Sequence, residues 1–468
     1  MTLQAWLAVP IAAALLAAAV LALLRPWRIA VWVHRSATVV TLAATAHLIW
    51  LTGAAGPWLW ADRLTVHMAV LAGVMALAAA IHAPVWLEAE INAWRLPAAA
   101  AHRQLALCQV LHAAVLLALL ANDLVLCWVA LVAAILSLRF AATLPGTPAA
   151  RIASRTSLGF GVIGLLLVLF GVMLFQLSAL PRFPAGDMLG WNQIRAAATH
   201  ADTPGADGAL LSLGFVLFLV GAVVIAGIAL WPVTAAPAPL TGLLGLALAG
   251  AILAALLRVS GIVTSHVEVL PPGALLLGLG GTAVLFGVRG CLRHRELWRV
   301  IDHATITHLG LAIIGFGIGS HFAALLHLSL LALTRAALLP IAGLATFAAP
   351  HRAGALTIGA GLLALAALPP FGLFASFFML LVALLGAAPW MAVLVGAALL
   401  VLMGRLLAEL PALIRPGVAP ATPPPMPLWT LVPGWVLLVL TANLGFAMPN
   451  ALVAWLTAIE RSFPGAFQ

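Results

Sequence analysis

Few ionisable side chains interrupt the long apolar stretches of this sequence, and five of them are candidates to carry protons: His112, Asp123, His308, His327 and Arg335. A histidine can switch between neutral and charged forms near physiological pH, so buried histidines could hand protons through a membrane. An arginine keeps its proton and can only set the local field. These five residues are therefore the candidate proton path of the chain.

Each candidate also has a structural interpretation. His308 and His327 could tie adjacent helices by a hydrogen bond, His112 could be a packing residue, and Asp123 is suited to cap a helix start. Eight residues separate His327 from Arg335, which places them on one helix face about 12 Å apart. Direct transfer between them is excluded, but a chain of waters could span that gap. Because an arginine at a helix centre costs about 2.5–3.5 kcal/mol, we expect Arg335 to face protein or water.

No other reaction chemistry is visible in the sequence. It has no Gly-rich phosphate loop, no Ser/His/Asp arrangement and no acidic pair within a predicted span. Cys108, Cys127 and Cys291 belong to no CxxC motif or Cys/His cluster, so we expect no metal and no cofactor in this chain. Any enzymatic step is expected to belong to partner subunits.

The composition determines the solvent of these residues. Hydrophobic residues make up 65% of the chain and charged residues only 7%, whereas a soluble domain carries about 25% charged residues. Lipid offers the backbone no hydrogen-bond partner, so the spans must be helices or a closed barrel, and the alternation typical of a barrel is absent. We therefore predict an all-α integral membrane protein with about fourteen transmembrane helices, at 4–24, 30–52, 64–87, 104–121, 123–143, 157–179, 209–231, 239–258, 273–290, 300–319, 321–347, 355–384, 388–410 and 428–449.

Charge gives the orientation. All 21 basic residues are Arg, and most lie in the loops on one side of the predicted helices. By the positive-inside rule both termini are then on the non-cytoplasmic side, which in a bacterial inner membrane is the periplasm. The basic balance is explained by topology, so no nucleic-acid partner is expected. Asp302 and His303, with His294 and Arg295, are expected in a cytoplasmic loop or first turn, where they could contact a neighbouring subunit.

Proline interrupts two of the apolar stretches. The interruptions are at 231–239 and at Leu368-Pro369-Pro370-Phe371-Gly372. Broken helices at matching places in two halves are typical of inverted-repeat transporters, because unwound backbone can line an internal polar site. Ordinary proline kinks between spans are the alternative. A further Pro-rich stretch, 416–427, predicts a stiff connector before the last helix.

Four sequence blocks, in this order and spacing, resemble a known family. They are Ala121-Asn122-Asp123-Leu124, the segment from Arg299 to Gly310 with Asp302 and His308, the segment from Ala324 to Arg335 with His327, and Leu368 to Ser376. The chain resembles the antiporter-like membrane subunits of complex I and hydrogenase-4 type complexes, of the hydrogenase-4 component F or complex I subunit N kind, over roughly residues 60–400. This is a proton-conducting membrane transporter family.

The resemblance implies a fold of two inverted five-helix repeats, helices 4–8 and 9–13, with helices 7 and 12 broken. The organisation is then N-terminal helices 1–3 in 1–103, a first repeat in 104–258, a second repeat in 259–410, and a Pro-rich connector with the last helix in 411–468. The resemblance also implies proton transfer along a buried polar axis. Four positions where the family carries titratable or polar groups are apolar here: Val132, Ile225, Gly250 and Phe377.

The sequence thus favours a membrane-arm subunit of a complex I-like or hydrogenase-4-like respiratory oxidoreductase, NADH:quinone or hydrogenase type, with a degenerate proton path. Its role would be scaffold or residual proton translocation, beside other membrane subunits and a soluble redox subunit. One alternative is an antiporter-like partner in proton-coupled inorganic carbon uptake, with a soluble zinc-bearing partner. Another is a cation/proton antiporter subunit.

Overall fold

The computed structural model describes residues 3–179, 190, 191, 193, 208–230, 239–264, 271–346, 352–414 and 427–463. Within these ranges the regular secondary structure is helical apart from isolated β-bridges. Thirteen of the described helices are long and apolar enough to cross a membrane, and two shorter apolar helices accompany them. The prediction of an all-helical membrane-spanning architecture is confirmed. Helices suit such apolar sequence, because their internal hydrogen bonds satisfy the backbone where lipid offers no partner.

The described helices form two compact units. The first unit holds eight helices: α1 (Leu3–Leu23), α2 (Trp27–His47), α3 (Arg63–Asn92), α4 (Ala98–Leu120), α5 (Leu124–Thr143), α6 (Pro148–Ala179), α7 (Gly208–Leu230) and α8 (Pro239–Thr264). The last of these continues beyond the predicted end at residue 258. Asp62 begins α3 by accepting a hydrogen bond from the Thr65 backbone N–H at 2.7 Å, which satisfies one of the free amides of a helix start.

The second unit holds the remaining nine helices: α9 (Pro272–Arg293), α10 (Leu297–Gly317), α11 (His321–Leu344), α12 (Arg352–Leu365), α13 (Gly372–Ala387), α14 (Pro389–Leu407), α15 (Leu410–Ile414), α16 (Val432–Phe446) and α17 (Asn450–Glu460). Helices α10 and α11 are the most enclosed of the candidate spans, with 94% of the apolar 18-residue window in each helix buried inside the protein. They carry His308, His327 and Arg335, so the unit is built around its polar residues.

Helices α12 and α13 are the two halves of one predicted span. Pro369 and Pro370 have no backbone N–H to continue the helix, and Ala367 adopts φ 52° at the end of α12. A short turn follows, in which the Phe371 N–H donates to the Leu368 carbonyl at 3.1 Å. The predicted break of helix 12 is confirmed. The interruption expected at 231–239 lies outside the described residues except for Pro239, where α8 begins, as does the Pro-rich connector at 416–426.

Two glycines allow α9 and α10 to cross backbone to backbone. A Cβ added to Gly280 would lie 2.6 Å from the Gly310 carbonyl oxygen and 2.8 Å from the Ile314 nitrogen. A Cβ on Gly310 would in turn lie 2.7 Å from the Gly280 carbonyl oxygen. Small residues at such crossings are what lets membrane helices approach closely. The crossing places α10 so that its other face can present polar side chains to α11.

Gly280→Ala is therefore expected to lower the free energy of unfolding by about 1–3 kcal/mol, since backbone atoms cannot move aside for the added carbon. Gly278 is the matched control, because it lies on the same helix and a Cβ there meets nothing within 4 Å among the described residues. Gly278→Ala should leave stability unchanged or raise it by up to about 1 kcal/mol through helix propensity. Thermal unfolding of both variants in the same detergent measures this, and equal effects would contradict the crossing.

Candidate functional site

A chain of four hydrogen-bonding groups runs across the second unit at the broken helix. His308 of α10 and His327 of α11 are fully buried, and the His308 Nδ1 atom lies 3.1 Å from His327 Nε2. His308 Nε2 lies 2.7 Å from the Leu365 carbonyl oxygen, and His327 Nδ1 lies 2.8 Å from Ser376 Oγ. Leu365 ends α12 and Ser376 lies in α13, so the two imidazoles connect both halves of the broken helix.

The partners assign one complete arrangement of protons when both rings are neutral. A carbonyl only accepts, so His308 Nε2–H donates to Leu365 and leaves His308 Nδ1 as an acceptor. His327 Nε2–H then donates to that nitrogen, and Ser376 O–H donates to His327 Nδ1. Every ring nitrogen of the pair is satisfied, which is the condition for burying polar groups in apolar surroundings.

A second complete arrangement holds one more proton. If His327 Nδ1 carries a hydrogen and donates to Ser376, the Ser376 hydroxyl can turn to the Leu373 carbonyl, whose oxygen lies 3.2 Å from Oγ. The extra proton then sits on His327 or, after a shift along the 3.1 Å bond, on His308. The carbonyl end of α12 beside His308 favours a positive charge, because helix C-termini carry partial negative charge. The chain can thus hold one proton and move it from ring to ring.

Arg335 lies two helical turns from His327 and is paired with Asp302 of α10. Its guanidinium is 1% exposed, with Nη2 donating to Asp302 Oδ1 at 2.6 Å and Nη1 donating to Thr305 Oγ1 at 2.6 Å. The prediction that Arg335 faces protein is confirmed. A buried charge in a membrane span needs such a partner, because hydrocarbon cannot solvate it.

The expected position of Asp302 and His303, in a loop or the first turn of a helix, is wrong. Helix α10 begins at Leu297, so both residues lie in its second turn, and both are buried. Their burial follows from contacts inside the unit: Asp302 binds Arg335, and His303 packs against Gly290 of α9, where an added Cβ would lie 1.7 Å from the imidazole. His294 does lie in the connection between α9 and α10, with its ring centroid 4.8 Å from that of His303.

These contacts define a polar stripe on α10, formed by Asp302, Thr305 and His308 at every third residue. The stripe faces Arg335 and His327 of α11. Along α10 the distance from Asp302 to His308 is about 9 Å, so a proton could pass between the two pairs only through water. The stripe therefore provides two separate elements: a charge pair that sets the field and a histidine pair that can hold a proton.

His112 and Asp123 lie in the first unit and belong to neither element. Asp123 Oδ1 accepts a hydrogen bond from the Leu126 backbone N–H at 2.7 Å, so its predicted role as N-cap of α5 is confirmed. His112 is buried in α4 and lines a small cavity with His34 and Gln109. The five candidate residues are thus divided between two units, and three of them share the polar stripe region of the second.

Asp123→Ala is expected to lower the free energy of unfolding by about 1 kcal/mol through loss of the cap. Asp123→Asn should have almost no effect, because an asparagine oxygen accepts the same hydrogen bond without the charge. Thermal unfolding of the two variants separates capping from charge. If Asp123→Asn were as damaging as Asp123→Ala, the negative charge and not the cap would be what the protein needs.

The four apolar positions offer no titratable replacement. Ile225 of α7 is fully buried and packs against Gly164 of α6, where an added Cβ would lie 2.9 Å from its Cγ1. Val132 and Phe377 are half-buried in α5 and α13. A Cβ on Gly250 of α8 would meet nothing within 4 Å among the described residues, so that space lacks a side chain.

The structure contains another ion pair that the sequence did not predict, at the start of α3. Arg258 of α8 donates to Asp62 Oδ2 through Nη2 at 2.5 Å and through Nε at 3.0 Å, and its guanidinium lies over the Trp60 ring at 4.9 Å. Asp62 is at the same time the cap of α3. No spacing rule could have linked residues 196 positions apart. The Asp302–Arg335 pair had a signal, since a buried Arg requires a carboxylate and Asp302 shares a helix face with His308.

Comparison with known proteins places this chain in a family. The family model described as NADH:quinone oxidoreductase/Mrp antiporter, transmembrane, matches residues 121–403, more than half of the chain. The chain belongs to this family. The resemblance inferred from the four sequence blocks is confirmed, and the protein is an antiporter-like, multi-pass membrane subunit of this kind.

A curated relative and three solved structures extend the match to nearly the whole chain. The hydrogenase-4 component F homolog of Methylacidiphilum infernorum (isolate V4) is 26% identical over 409 residues, covering 82% of this chain and 84% of the relative. A chain of respiratory complex I from Thermus thermophilus with bound NADH has a TM-score of 0.78 at 16% identity, covering 99% of this chain and 100% of that one.

Two further structures share the fold. A chain of the membrane-bound sulfane sulfur reductase, an archaeal respiratory membrane complex, has a TM-score of 0.81 at 16% identity and covers 100% of this chain and 98% of its own. A chain of the Mrp complex from Dietzia sp. DQ12-45-1b has a TM-score of 0.76 at 18% identity, with 100% and 98% coverage. At these identities the structural matches establish the family's fold, and the polar residues must be judged from this chain alone.

Proposed function

We propose that this chain is a membrane-arm subunit of a respiratory oxidoreductase complex of the complex I or hydrogenase-4 type. The hydrogenase-4 component F homolog supports this assignment, because it aligns over most of both chains. The match to a chain of complex I over its whole length gives further support. The redox chemistry belongs to partner subunits, and this chain contributes the membrane-embedded part.

Within that complex the chain acts as a scaffold with residual proton transfer. The observation that carries this is the Leu365–His308–His327–Ser376 chain, which ties the broken helix together and has two complete hydrogen-bond arrangements differing by one proton. The first unit has hydrophobic Val132 and Ile225, and Gly250 without a side chain, where the family carries titratable or polar groups. The fourth such position, Phe377, lies in the second unit, so the residual proton transfer there depends on the histidine pair.

The partners and the orientation follow the same proposal. Other membrane subunits flank the chain, and a soluble redox subunit drives the complex from the cytoplasmic side. The Arg-rich loops face the cytoplasm of a bacterium and both termini face the periplasm, in line with the positive-inside rule. The match to an Mrp chain favours one alternative, a cation/proton antiporter subunit.

Native purification tests the assignment. The affinity-tagged protein is extracted from its own cells in mild detergent, and the co-eluting chains are identified by mass spectrometry, with untagged cells as the control. We expect hydrogenase-type or quinone-reductase-type subunits in a stable stoichiometry. Recovery of Mrp-type antiporter subunits, or of a soluble zinc-bearing protein, would replace the proposal with one of the transporter alternatives.

A further inference from the structure

A small cavity lies in the first unit among α2, α3, α4 and α8. Its volume is about 10 Å³, roughly the space that one water molecule requires. Three aliphatic side chains and the Cys108 thiol form part of its wall, and the remaining lining residues are His34, Thr38, Gln109 and His112. A cavity of this size lined by apolar groups stays dry, whereas polar groups in its wall bind water.

Gln109 is held in one orientation by α2. Its Nε2 atom lies 2.9 Å from Thr38 Oγ1, 3.2 Å from the His34 carbonyl oxygen and 3.1 Å from His34 Nδ1. The carbonyl can only accept and the Thr38 hydroxyl already donates to it at 2.8 Å, so the amide NH₂ must face this group. The Gln109 oxygen is therefore directed away from α2, and His34 receives a hydrogen bond on Nδ1.

Three polar atoms beside the cavity remain unsatisfied. Gln109 Oε1 and both ring nitrogens of His112 are buried and have no hydrogen-bond partner among the described residues. Gln109 and His112 are each 1% exposed, so bulk water does not reach them. Buried polar atoms are rarely left unpaired, because each loses its hydrogen bonds to water on burial.

The unsatisfied atoms specify the ligand. Gln109 Oε1 accepts a hydrogen bond, and each His112 nitrogen accepts or donates one according to the tautomer. The two ring nitrogens point apart, so a single small ligand reaches only one of them. A water molecule, which offers two hydrogens and two lone pairs, can donate to Gln109 Oε1 and pair with that nitrogen in either tautomer. Among the described residues no group of three or more His, Cys, Asp or Glu side chains is placed to hold a metal ion, and the acceptor oxygen of Gln109 disfavours an anion.

We propose that this cavity is a binding site for a single water molecule that joins His112 to Gln109, and through Gln109 to His34. The network lies on α2 and α4, whereas Val132, Ile225 and Gly250 lie on α5, α7 and α8. It gives the first unit a hydrated His112 that is linked through Gln109 to His34. The proposal concerns only the first unit and holds whatever complex the chain belongs to.

Radiolytic hydroxyl labelling of the full chain in detergent tests the site, since radicals formed from a bound water oxidise the side chains beside it. The chain carries its own controls, because Cys108, Cys127 and Cys291 are all buried but only Cys108 lines the cavity. We expect Cys108 and His112 to be labelled several-fold faster than Cys127 and Cys291. Equal labelling of the three thiols would overturn the proposal.

A cavity-filling variant locates the water. Ala79 of α3 lines the cavity, and Ala79→Val should displace the water and reduce Cys108 labelling several-fold. Ala83→Val lies one turn further along α3, is equally buried and does not line the cavity, so Cys108 labelling should persist in it. Unchanged labelling in a folded Ala79→Val protein, judged by its elution on size exclusion, would place the water elsewhere and refute the site.

Discussion

Replacing Asp302 by leucine is expected to lower the free energy of unfolding by about 3–5 kcal/mol, the usual cost of removing one partner from a buried ion pair. Asp302 is the carboxylate that Arg335 contacts at 2.6 Å, and both side chains are enclosed, at 7% and 1% exposure. The Arg335 guanidinium left behind cannot neutralise itself by losing a proton. An uncompensated positive charge would remain in the middle of the unit.

The opposite substitution should be milder. Arg335→Leu leaves Asp302 without its partner, but a buried carboxyl can bind a proton and become neutral. The double variant Asp302→Leu/Arg335→Leu removes both charges and should recover most of the stability, since apolar pairs often replace buried ion pairs at little cost. The asymmetry between the two single variants is therefore the signature of a true buried pair.

Thermal unfolding of the two single variants and the double variant in one detergent measures these differences in stability. The control is Glu409→Leu, because Glu409 pairs with Arg405 at the partly exposed end of α14 and Arg405 also contacts the Cys291 and His294 carbonyl oxygens. That substitution should cost less than about 1 kcal/mol. Equal losses in Asp302→Leu and Arg335→Leu, or a double variant as unstable as the sum of the two, would contradict the pairing.

The sequence predicted those features of the fold that depend on local chemistry. Apolar runs of about 20 residues identified the spans, Pro369 and Pro370 identified the broken helix, and Asp123 was identified as a cap because it follows Asn122 at a helix start. Each of these depends on residues close together in the chain. The exact helix ends were less accurate, as shown by α8, which runs on to Thr264.

The contacts that make the site depend on distant residues, and the sequence could not specify them. Arg335 and Asp302 are 33 positions apart, and His327 and Ser376 are 49 apart. In a membrane protein almost every helix face is apolar, so hydropathy does not say which face meets which neighbour. The contact of α10 with α11 decides that Asp302 is buried, and the face that α10 turns to α11 depends on packing on its other side, such as the Gly280–Gly310 crossing with α9.

The fold does not depend on titratable groups at the four apolar positions. Helix length, small residues at crossings and proline breaks hold the bundle together, and none of these requires a charge at positions 132, 225, 250 or 377. Hydrophobic replacements there even remove the cost of burying charge. The proposed loss of titratable groups is therefore compatible with the scaffold, provided that the remaining buried polar groups stay paired.

His327→Ala tests that last condition and is expected to reduce the amount of assembled complex more than it changes proton pumping per complex. The substitution removes two hydrogen bonds at once and leaves His308 Nδ1 and Ser376 with one partner fewer. Each buried group left unpaired costs about 1–3 kcal/mol, and the vacated ring space adds to this. Helix α11 then loses its hydrogen bond to Ser376 of α13 and keeps the Arg335 contacts to α10.

His327→Gln separates the structural role from proton transfer. The glutamine amide can donate to His308 Nδ1 and accept from Ser376, which reproduces the neutral arrangement, but it cannot take up a proton. We expect assembly to recover in this variant, with a modest reduction in pumping that measures the share carried by the histidine pair. Ser376→Ala removes one hydroxyl and should lower the free energy of unfolding by about 1 kcal/mol. We expect its loss of assembly to lie between those of His327→Gln and His327→Ala.

Native gels measure the assembled complex, and a pH-sensitive dye in inverted membrane vesicles measures proton uptake per complex. Normal assembly with abolished proton uptake in His327→Ala would contradict the structural role of His327. It would show instead that the His308–His327 pair is an obligatory proton relay. Full pumping in His327→Gln would instead remove proton transfer from the role of this chain.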